Sequence, residues 1–236
     1  MIKNANSVLR LITVLTLGFT LTGCETVPPT IQTGPDAELS FDGLHAVDNS
    51  QADAAWARPD FNLDGYKKIW PVGLGVEYRQ ARNRGSSSMV RSQGGPYFID
   101  DKARGQFEEL VNEIFKEELQ KVERYELVDG PGPDVLMIRG GLLNVTSMVP
   151  PEPAGSRSIV YLSNIGDATL VLELRDSETG TILARSVDRR AAETIGGTFQ
   201  RSNSVINSAE VRRLIRFWAT RLREGLDGFA QETASN

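Results

Sequence analysis

The chain has 236 residues, and its 26 Lys and Arg against 31 Asp and Glu give a formal net charge of −5. Hydrophobic residues make up 40% of it and charged residues 24%, which is ordinary for a globular protein. An acidic protein is a poor candidate for binding nucleic acid, because that binding depends on Lys and Arg neutralising phosphates. The length fits one large domain, or one domain with an extended arm, and allows a packed core.

Residues 1–23 have the pattern of a secretory signal peptide. Lys3 and Arg10 make the start positive, and a mostly apolar run follows from residue 11 to residue 21. This run is too short for a stable membrane span, which needs about 20 apolar residues. The signal ends in the sequence Leu-Thr-Gly-Cys, and Cys24 is the only cysteine in the chain.

The sequence Leu-Thr-Gly-Cys24 resembles the lipobox of bacterial lipoproteins. The resemblance implies cleavage before Cys24, diacylglycerol on its sulfur and a further acyl chain, such as palmitate, on the new amino group. Such chains would hold the protein on a bilayer, because each buried CH₂ contributes about 0.8 kcal/mol. A lone cysteine is otherwise usually a buried apolar residue. After this cleavage Glu25 would be the second residue of the mature chain. In lipoproteins of Gram-negative bacteria, a residue other than Asp at this position implies sorting to the outer membrane, where the protein would be anchored on the periplasmic face.

Composition divides the remainder into three segments. Residues 24–36 are predicted to be a lipidated cysteine with a flexible tether, because their apolar content is too low for packing and Pro favours extended polyproline geometry at about 3.1 Å per residue. Residues 37–230 are predicted to be a single globular domain that begins with an irregular arm, which includes a short helix at 51–56. Residues 231–236 are predicted to be a loose tail.

Two helices and up to five strands are predicted in the domain. Apolar residues recur at helical spacing over 101–123, with Asp100 as N-cap, and over 208–227, where Asn207 and Glu210 resemble a capping box. The predicted strands are 68–78, 135–147, the hairpin of 168–176 and 181–193, and a short fifth strand at 126–128. Pro71 predicts a strand end, a sheet edge or a bulge in the first long strand. The pair Gly140-Gly141 predicts a bulge or a close backbone approach in the second.

These elements predict an α/β (α+β) two-layer sandwich: a mixed, mostly antiparallel sheet of 4–5 strands packed by two long helices, with an irregular N-terminal arm. If strand 135–147 is parallel to strand 68–78, the polar loops 79–97, 148–167 and 194–207 leave the same edge and form a natural binding surface. If 126–128 is the parallel strand instead, the first loop lies on the opposite edge.

Several short motifs resemble the family called domain of unknown function 3313. They are Trp56-Ala-Arg-Pro59 before Tyr66-Lys67, Asp176-Ser-Glu-Thr179-Gly180, Asp188-Arg189-Arg190, and Phe217-Trp218-Ala219 with Leu222 and Leu226. This uncharacterised family of bacterial lipoproteins would cover roughly residues 41–227. The resemblance implies a lipid-anchored envelope protein and brings no known activity and no catalytic residues. The candidate motif positions are Asp176, Thr179, Gly180, Asp188, Arg189 and Trp218.

Catalytic, cofactor and metal sites are not expected. His45 is the only histidine, and Cys24 is assigned to lipid, so triads, zinc, haem and thiol catalysis lack their usual residues. Gly73-Leu-Gly75 lacks the third glycine and the helix of a dinucleotide-binding motif. We therefore expect no catalytic residue, no cofactor and no metal.

Carboxylates provide the one enzymatic alternative. Asp176 and Glu178 flank a turn, and Asp188 and Glu193 lie on the next strand with arginines nearby. Two carboxylates a few ångströms apart can cleave glycosidic bonds, and the cell wall contains such bonds. The favoured interpretation is an ion-paired surface and a turn in which Asp176 accepts backbone N–H bonds and Gly180 takes positive φ.

The sequence thus predicts an outer-membrane-anchored envelope lipoprotein that is a non-enzymatic binding or assembly module. Its expected partners are the membrane, through the acyl chains on Cys24, and an envelope protein or peptidoglycan. The alternative is a tethered cell-wall hydrolase that uses an Asp/Glu pair, and a third option is an apolar pocket between sheet and helices. A deep cleft with two facing carboxylates would favour the hydrolase.

Overall fold

The structure, a computed structural model, describes residues 27–81, 94–151 and 159–233. It has the predicted α+β class, with one large mixed sheet and two long helices. The predicted signal peptide and Cys24 lie outside the described residues. No helix in the described part of the chain is both long enough and apolar enough to cross a membrane.

The described residues form ten strands, two α-helices and one short 3₁₀ helix at Ile195–Gly197. The strands are β1 (Thr30–Ile31), β2 (His45–Asp48), β3 (Ala54–Ala57), β4 (Lys68–Tyr78), β5 (Glu126–Leu127), β6 (Val135–Val145), β7 (Tyr161–Leu162), β8 (Asn164–Asp176), β9 (Ile182–Glu193) and β10 (Gln200–Arg201). The α-helices are α1 (Asp101–Leu119) and α2 (Ser204–Thr233).

Eight strands form the main sheet in the order β1-β2-β3-β9-β8-β6-β4-β5, and β7 pairs with β10 in a separate ribbon. Strand β4 is parallel to both of its neighbours, β5 and β6, and the other pairs are antiparallel. The sequence left open whether strand 135–147 or strand 126–128 is parallel to the first long strand, and both of them are. The hairpin β8–β9 is confirmed, with 11 paired positions.

The prediction of 4–5 strands is wrong, because the predicted tether contributes β1 and the arm expected to be irregular contributes β2 and β3. The predicted helix at 51–56 is also wrong, since Ala54–Ala57 is a strand that pairs with β9 from Ala184 to Val187. An open edge of β9 offers backbone hydrogen bonds to any extended segment, and this tertiary gain overrides the local helix propensity of the alanines. Thr30 and Ile31, inside the predicted tether, already belong to the sheet.

The helix boundaries agree in part with the sequence pattern. The side chain of Asp100 accepts the N–H of Ala103 at 2.8 Å, so the predicted N-cap of α1 is confirmed. Helix α2 begins at Ser204 rather than at 208, because Asn203 accepts the N–H groups of Val205 and Ile206, both at 3.0 Å. The predicted capping box of Asn207 and Glu210 is therefore wrong.

The sheet glycines and Pro71 lie where the backbone is irregular or crowded. The β4–β6 register shifts between Pro71 and Leu74, so the predicted bulge is confirmed. A Cβ on Gly140 would lie 2.8 Å from the Leu172 side chain, which confirms a close approach there. Directly after the bulge, the N–H of Leu74 donates to the side chain of Asn112 on α1 at 3.1 Å.

Both helices pack on one face of the sheet around two groups of buried side chains. The first includes Val111, Ile114, Phe115, Leu142, Leu170, Ile215 and Trp218. The second includes Leu63, Ile69, Leu119, Leu136, Ile138 and Leu226. The apolar stripes predicted on the two helices thus face the sheet, with α1 packed on β4 and α2 on β8 and β9.

Candidate functional site

Strands β4, β6 and β9 all finish at one end of the sheet, which we call the loop end. The N–H of Tyr97 donates to the Ser147 carbonyl at 2.7 Å, which joins the first loop to the second. The β7–β10 ribbon joins the second loop to the third. The described parts of the three loops therefore meet, as the parallel pairing predicts, although 82–93 and 152–158 lie outside the described residues.

A cleft of about 640 Å³ opens between the two helices at the loop end. Both helices start there, because each follows a strand that finishes at the loop end. Ion pairs join the helices only further along, where Arg216 lies 3.3 Å from Glu117 and Arg223 lies 3.7 Å from Glu118 among the described residues. The first halves of the helices leave the space that forms the cleft.

Apolar side chains form the floor and walls of the cleft. The floor consists of buried residues from the loop end of the sheet and from the sheet-facing side of α2. They are Val145, Ile165, Ala168 and Ala192 from the sheet, and Ile215 and Trp218 from the helix. The walls include Phe107 and Leu110 on α1 and Val211 and Leu214 on α2, all partly buried. This is the usual construction of a ligand site, in which apolar surface surrounds a small number of polar groups.

Polar side chains ring the mouth of the cleft. On α1 they are Gln106, Glu109 and Glu113, and on α2 they are Ser204, Asn207, Ser208 and Arg212. Tyr78, at the end of β4, donates its hydroxyl to the Arg104 carbonyl at 3.2 Å, and burial raises the pKa of this phenol. A ligand with an apolar body and a polar end would match this division.

Asp167 on β8 is one of the residues that line the cleft, but its carboxylate lies on the sheet face away from the helices, because the next residue, Ala168, is buried beneath them. It accepts the hydroxyl of Thr146 at 2.6 Å and a guanidinium N–H of Arg189 at 2.8 Å. Burial alone would raise the pKa of Asp167, but these two hydrogen bonds and the charge of Arg189 outweigh it and lower the pKa. The carboxylate is thus held ionised, whereas a general acid needs a raised pKa.

Two of the family motif residues meet beneath the cleft. Asp188 on β9 is buried and accepts the indole N–H of Trp218 at 2.6 Å. The same carboxylate accepts the guanidinium N–H of Arg190 at 2.6 Å. Arg190 also stacks over the ring of Phe217 at 4.5 Å. These contacts fix the Trp218 ring, so the motif shapes the cleft floor.

Arg189 follows Asp188 along β9, so its side chain lies on the opposite face of the strand, away from the helices. Its side chain binds Asp167, and its backbone N–H donates to Asp53 at 2.8 Å, just before β3. The motif residue Arg189 therefore ties β9 to its neighbours on both sides. Its contacts are with protein carboxylates, which fits a structural role.

The motif residues Asp176, Thr179 and Gly180 lie at the other end of the sheet, in the β8–β9 turn. Asp176 accepts the N–H of Thr179 at 2.8 Å and its hydroxyl at 2.7 Å, and Gly180 has φ of 71°. The two hydrogen bonds from Thr179 and, to a smaller extent, the hydrogen bond from Tyr66 lower the pKa of Asp176. Burial and Asp176 raise the pKa of Tyr66 to about 12. We call this end the turn end.

The two carboxylate pairs named from the sequence do not face each other. Asp176 and Glu178 lie at the turn end, whereas Asp188 and Glu193 lie in the half of β9 nearer the loop end. Other charged side chains of the β8–β9 hairpin form ion pairs. Arg185 lies 2.9 Å from Glu173 and 2.6 Å from Asp42. The ion-paired surface expected from the sequence is therefore present.

Metal and histidine chemistry have no support in the part of the chain that is described. Residues 27–81, 94–151 and 159–233 contain no group of three His, Cys, Asp or Glu that could hold a metal ion. The ring Nδ1 of His45 lies 2.7 Å from the Gln32 carbonyl, within the β1–β2 edge. This contact gives His45 a structural place in the sheet.

A family comparison identifies the chain over most of its length. The profile described as Protein of unknown function (DUF3313) matches residues 39–222. The chain belongs to this family. The resemblance carried by the Asp176, Asp188 and Trp218 motifs is thereby confirmed, and no curated protein matches the chain.

Several solved structures are similar at low sequence identity. A PelC variant dodecamer from Paraburkholderia phytofirmans matches with 9% identity and a TM-score of 0.33, covering 69% of this chain and 90% of that chain. A DUF330 protein from Xanthomonas campestris matches with 8% identity and a TM-score of 0.38, covering 76% and 94%. A putative neuraminyllactose-binding hemagglutinin homolog from Helicobacter pylori matches with 7% identity and a TM-score of 0.38, covering 73% and 91%. Scores of this size do not transfer a function.

Proposed function

We propose that this protein is a lipid-anchored envelope lipoprotein and a non-enzymatic binding module whose cleft takes an apolar group with a polar end. The observation that carries the binding role is the cleft itself, with Phe107, Leu110, Val211 and Leu214 as its walls. Its volume, about 640 Å³, lies within the range of roughly 300–1,000 Å³ for ligand sites.

The anchor is a proposal from the sequence. The lipobox at Cys24 and the preceding apolar signal support acylation, and Glu25 supports the periplasmic face of the outer membrane. Mass spectrometry of the native N-terminus tests it, with an acylated Cys24 as the expected result. An intact N-terminus or a free Cys24 thiol would contradict the anchor without affecting the cleft.

The apolar walls of the cleft favour some classes of partner over others. Peptidoglycan strands present hydroxyl and amide groups, which an apolar wall would leave without hydrogen bonds at a cost of roughly 1–3 kcal/mol each. An envelope protein that offers aliphatic or aromatic side chains, or a small amphipathic molecule, would instead remove apolar surface from water. We therefore favour these partners over the glycan, and we favour binding over glycan hydrolysis.

Site-specific photo-crosslinking in intact envelopes tests the binding role. A benzophenone amino acid at Leu214, in the cleft wall, should give an adduct of defined mass, and the same amino acid at Glu178, in the exposed turn, should not. The adduct should fall at least five-fold when Val211→Trp fills the cleft. Equal adducts from both positions, or an adduct that Val211→Trp leaves unchanged, would contradict the proposal.

The hydrolase alternative has its own test. Purified protein incubated with peptidoglycan sacculi should release no soluble fragments above the background of the Glu113→Gln variant. Release that depends on Glu109 or Glu113, the two carboxylates on the α1 side of the cleft mouth, would replace the binding role with an enzymatic one.

A further inference from the structure

A group of apolar side chains beside the cleft mouth is exposed to solvent. Ile159, Tyr161, Ile195, Phe199 and Val205 each expose between 55% and 77% of their surface. Single exposed apolar residues are common, but a contiguous apolar patch usually marks a binding surface. We call these five residues the rim patch.

The rim patch is held together by backbone hydrogen bonds. In the β7–β10 ribbon, Tyr161 lies directly opposite Arg201. Phe199 is two residues before Arg201, so in extended backbone the two side chains point the same way. The N–H of Ser202 donates to the Val160 carbonyl at 2.8 Å, which extends the pairing towards Ile159.

The two remaining members adjoin the same ribbon. The N–H of Thr194, next to Ile195, donates to the Ser163 carbonyl at 2.9 Å, and Thr194 is itself buried. Val205 lies in the first turn of α2, beside the Asn203 cap. Apolar residues therefore extend from a hydrogen-bonded platform, with exposed Arg201 among them.

The direction of β1 relates the rim patch to the N-terminal segment. Thr30 pairs with Asp48, and continuing the β2–β3 register places Asp48 opposite Ala54, which pairs with Val187. Strand β1 is antiparallel to β2 and β2 to β3, so β1 runs away from the loop end, as β3 does. The chain that precedes Thr30 therefore reaches β1 from the loop-end side.

Distances along the chain agree with this placement. Cys24 precedes Thr30 by six residues, which span at most about 20 Å when extended. From Val187 to Glu193, where β9 finishes at the loop end, is also six residues and about 20 Å. Six residues would therefore be long enough, if fully extended, to bring Cys24 level with the loop end.

We infer that the rim patch lies against the phospholipid bilayer that holds the acylated Cys24; this inference rests on the proposed anchor. Tyr161 and Phe199 are residue types that favour the interface between headgroups and acyl chains. Arg201 beside them would attract anionic headgroups. The loop end, with the cleft mouth, then faces the membrane, and the turn end faces away from it.

Fluorescence quenching on vesicles tests the orientation. Because acylated Cys24 has no free thiol, Thr198→Cys beside the patch and Glu178→Cys at the turn end each carry one thiol for an NBD label. The mature acylated protein is reconstituted into phosphatidylethanolamine–phosphatidylglycerol vesicles that contain a spin-labelled quencher lipid. We expect quenching at position 198 to be at least three-fold stronger than at position 178. Equal quenching would overturn the inference.

A pair of phenylalanine variants provides the matched control. In the Thr198→Cys background, Phe199→Ser should reduce the quenching at least two-fold. Phe41→Ser should leave it unchanged, because Phe41 is 93% exposed but lies near Arg185, in the half of β9 nearer the turn end. An unchanged signal with Phe199→Ser would overturn the role of the patch.

Flotation of the same vesicles separates this inference from the anchor. If the protein floats with the vesicles but both labels are quenched equally, the anchor stands and the rim patch does not face the bilayer. If the wild-type protein does not float, or if its Cys24 accepts the thiol label, the anchor fails. A label at position 198 that is shielded without lipid and not quenched with it would indicate a protein partner and would overturn the inference.

Discussion

The two ends of this molecule are built from the same helices and sheet, yet in the described part of the chain only one of them is closed. At the turn end, Leu119, Leu136, Ile138 and Leu226 fill the space between the layers. At the loop end, the same two helices leave a cleft of about 640 Å³. An apolar stripe on a helix thus predicts which face of the helix packs on the sheet. The length of the stripe does not predict how many of its side chains become fully buried.

Polar contacts follow the same division. Buried Glu118 lies 2.6 Å from Lys121 and 3.7 Å from Arg223, and the N–H of Glu123 donates to Asp227 at 3.1 Å. These contacts hold the second halves of α1 and α2 together. At the loop end the polar groups ring the cleft mouth instead, where they remain accessible to a ligand.

The largest expected effect comes from core truncation at the closed end. Leu136→Ala removes a fully buried side chain and should cost about 2–5 kcal/mol of unfolding free energy. Leu110→Ala, in the cleft wall, should cost roughly 1 kcal/mol or less, because Leu110 is already partly exposed. Urea unfolding followed by tryptophan fluorescence measures both values. Similar losses for the two variants would mean that the loop end is as closely packed as the turn end.

The second effect concerns the contact beneath the cleft floor. Asp188→Ala leaves the buried indole N–H of Trp218 without its acceptor and should cost about 1–3 kcal/mol. It should also weaken adduct formation at Leu214, since the Trp218 ring is no longer fixed. Asp188→Asn keeps an acceptor oxygen and should retain most of the binding. A loss of stability without any change in binding would show that Trp218 does not shape the site.

A smaller effect is expected at the turn. Gly180 has φ of 71°, and no atom lies within 4 Å of the position that a Cβ would take. Gly180→Ala should therefore cost only the backbone term, about 1 kcal/mol, and should not affect ligand adducts at the far end. Gly130→Ala is a control, because that site is also open and has no positive φ. A cost well above 1 kcal/mol would point to a contact that the fold does not explain.

The smallest effect depends on pH. Because the pKa of Asp176 is lowered in the folded protein, its carboxylate stabilises the fold above its ordinary pKa of 3.8. This contribution disappears as the pH falls through the lower folded value. Asp176→Asn should be the less stable protein at pH 7, and the difference should narrow below pH 3.8, as measured by urea unfolding at several pH values. A difference that is constant with pH would contradict the assignment.

Local patterns in the sequence were sufficient for the main elements. The helical stripe from Phe107 to Leu119, the Asp100 cap and the alternation in 168–176 each reflect neighbours along the chain, and each is present in the structure. That the three long loops lie at one end of the sheet could be predicted once β4 and β6 were taken to be parallel. These predictions needed only periodicity and the usual rules of chain connection.

The rest depended on contacts between distant segments. Strand β3 has the sequence Ala-Ala-Trp-Ala, which becomes a strand because β9 offers it an edge. The cleft depends on the separation of two helices about 100 residues apart in sequence, and no local pattern encodes that separation. The link from Asp188 to Trp218 is of the same kind, although both residues belong to the family motifs.

Methyl NMR of the protein during titration with hexan-1-ol tests the central claim that the loop end is an open apolar site. Leu110 and Val211 line the cleft, whereas Leu136 belongs to the closed core. We predict saturable shifts for the methyl groups of Leu110 and Val211 and none for Leu136. Shifts that do not saturate, or that are as large at Leu136 as at Val211, would contradict the claim.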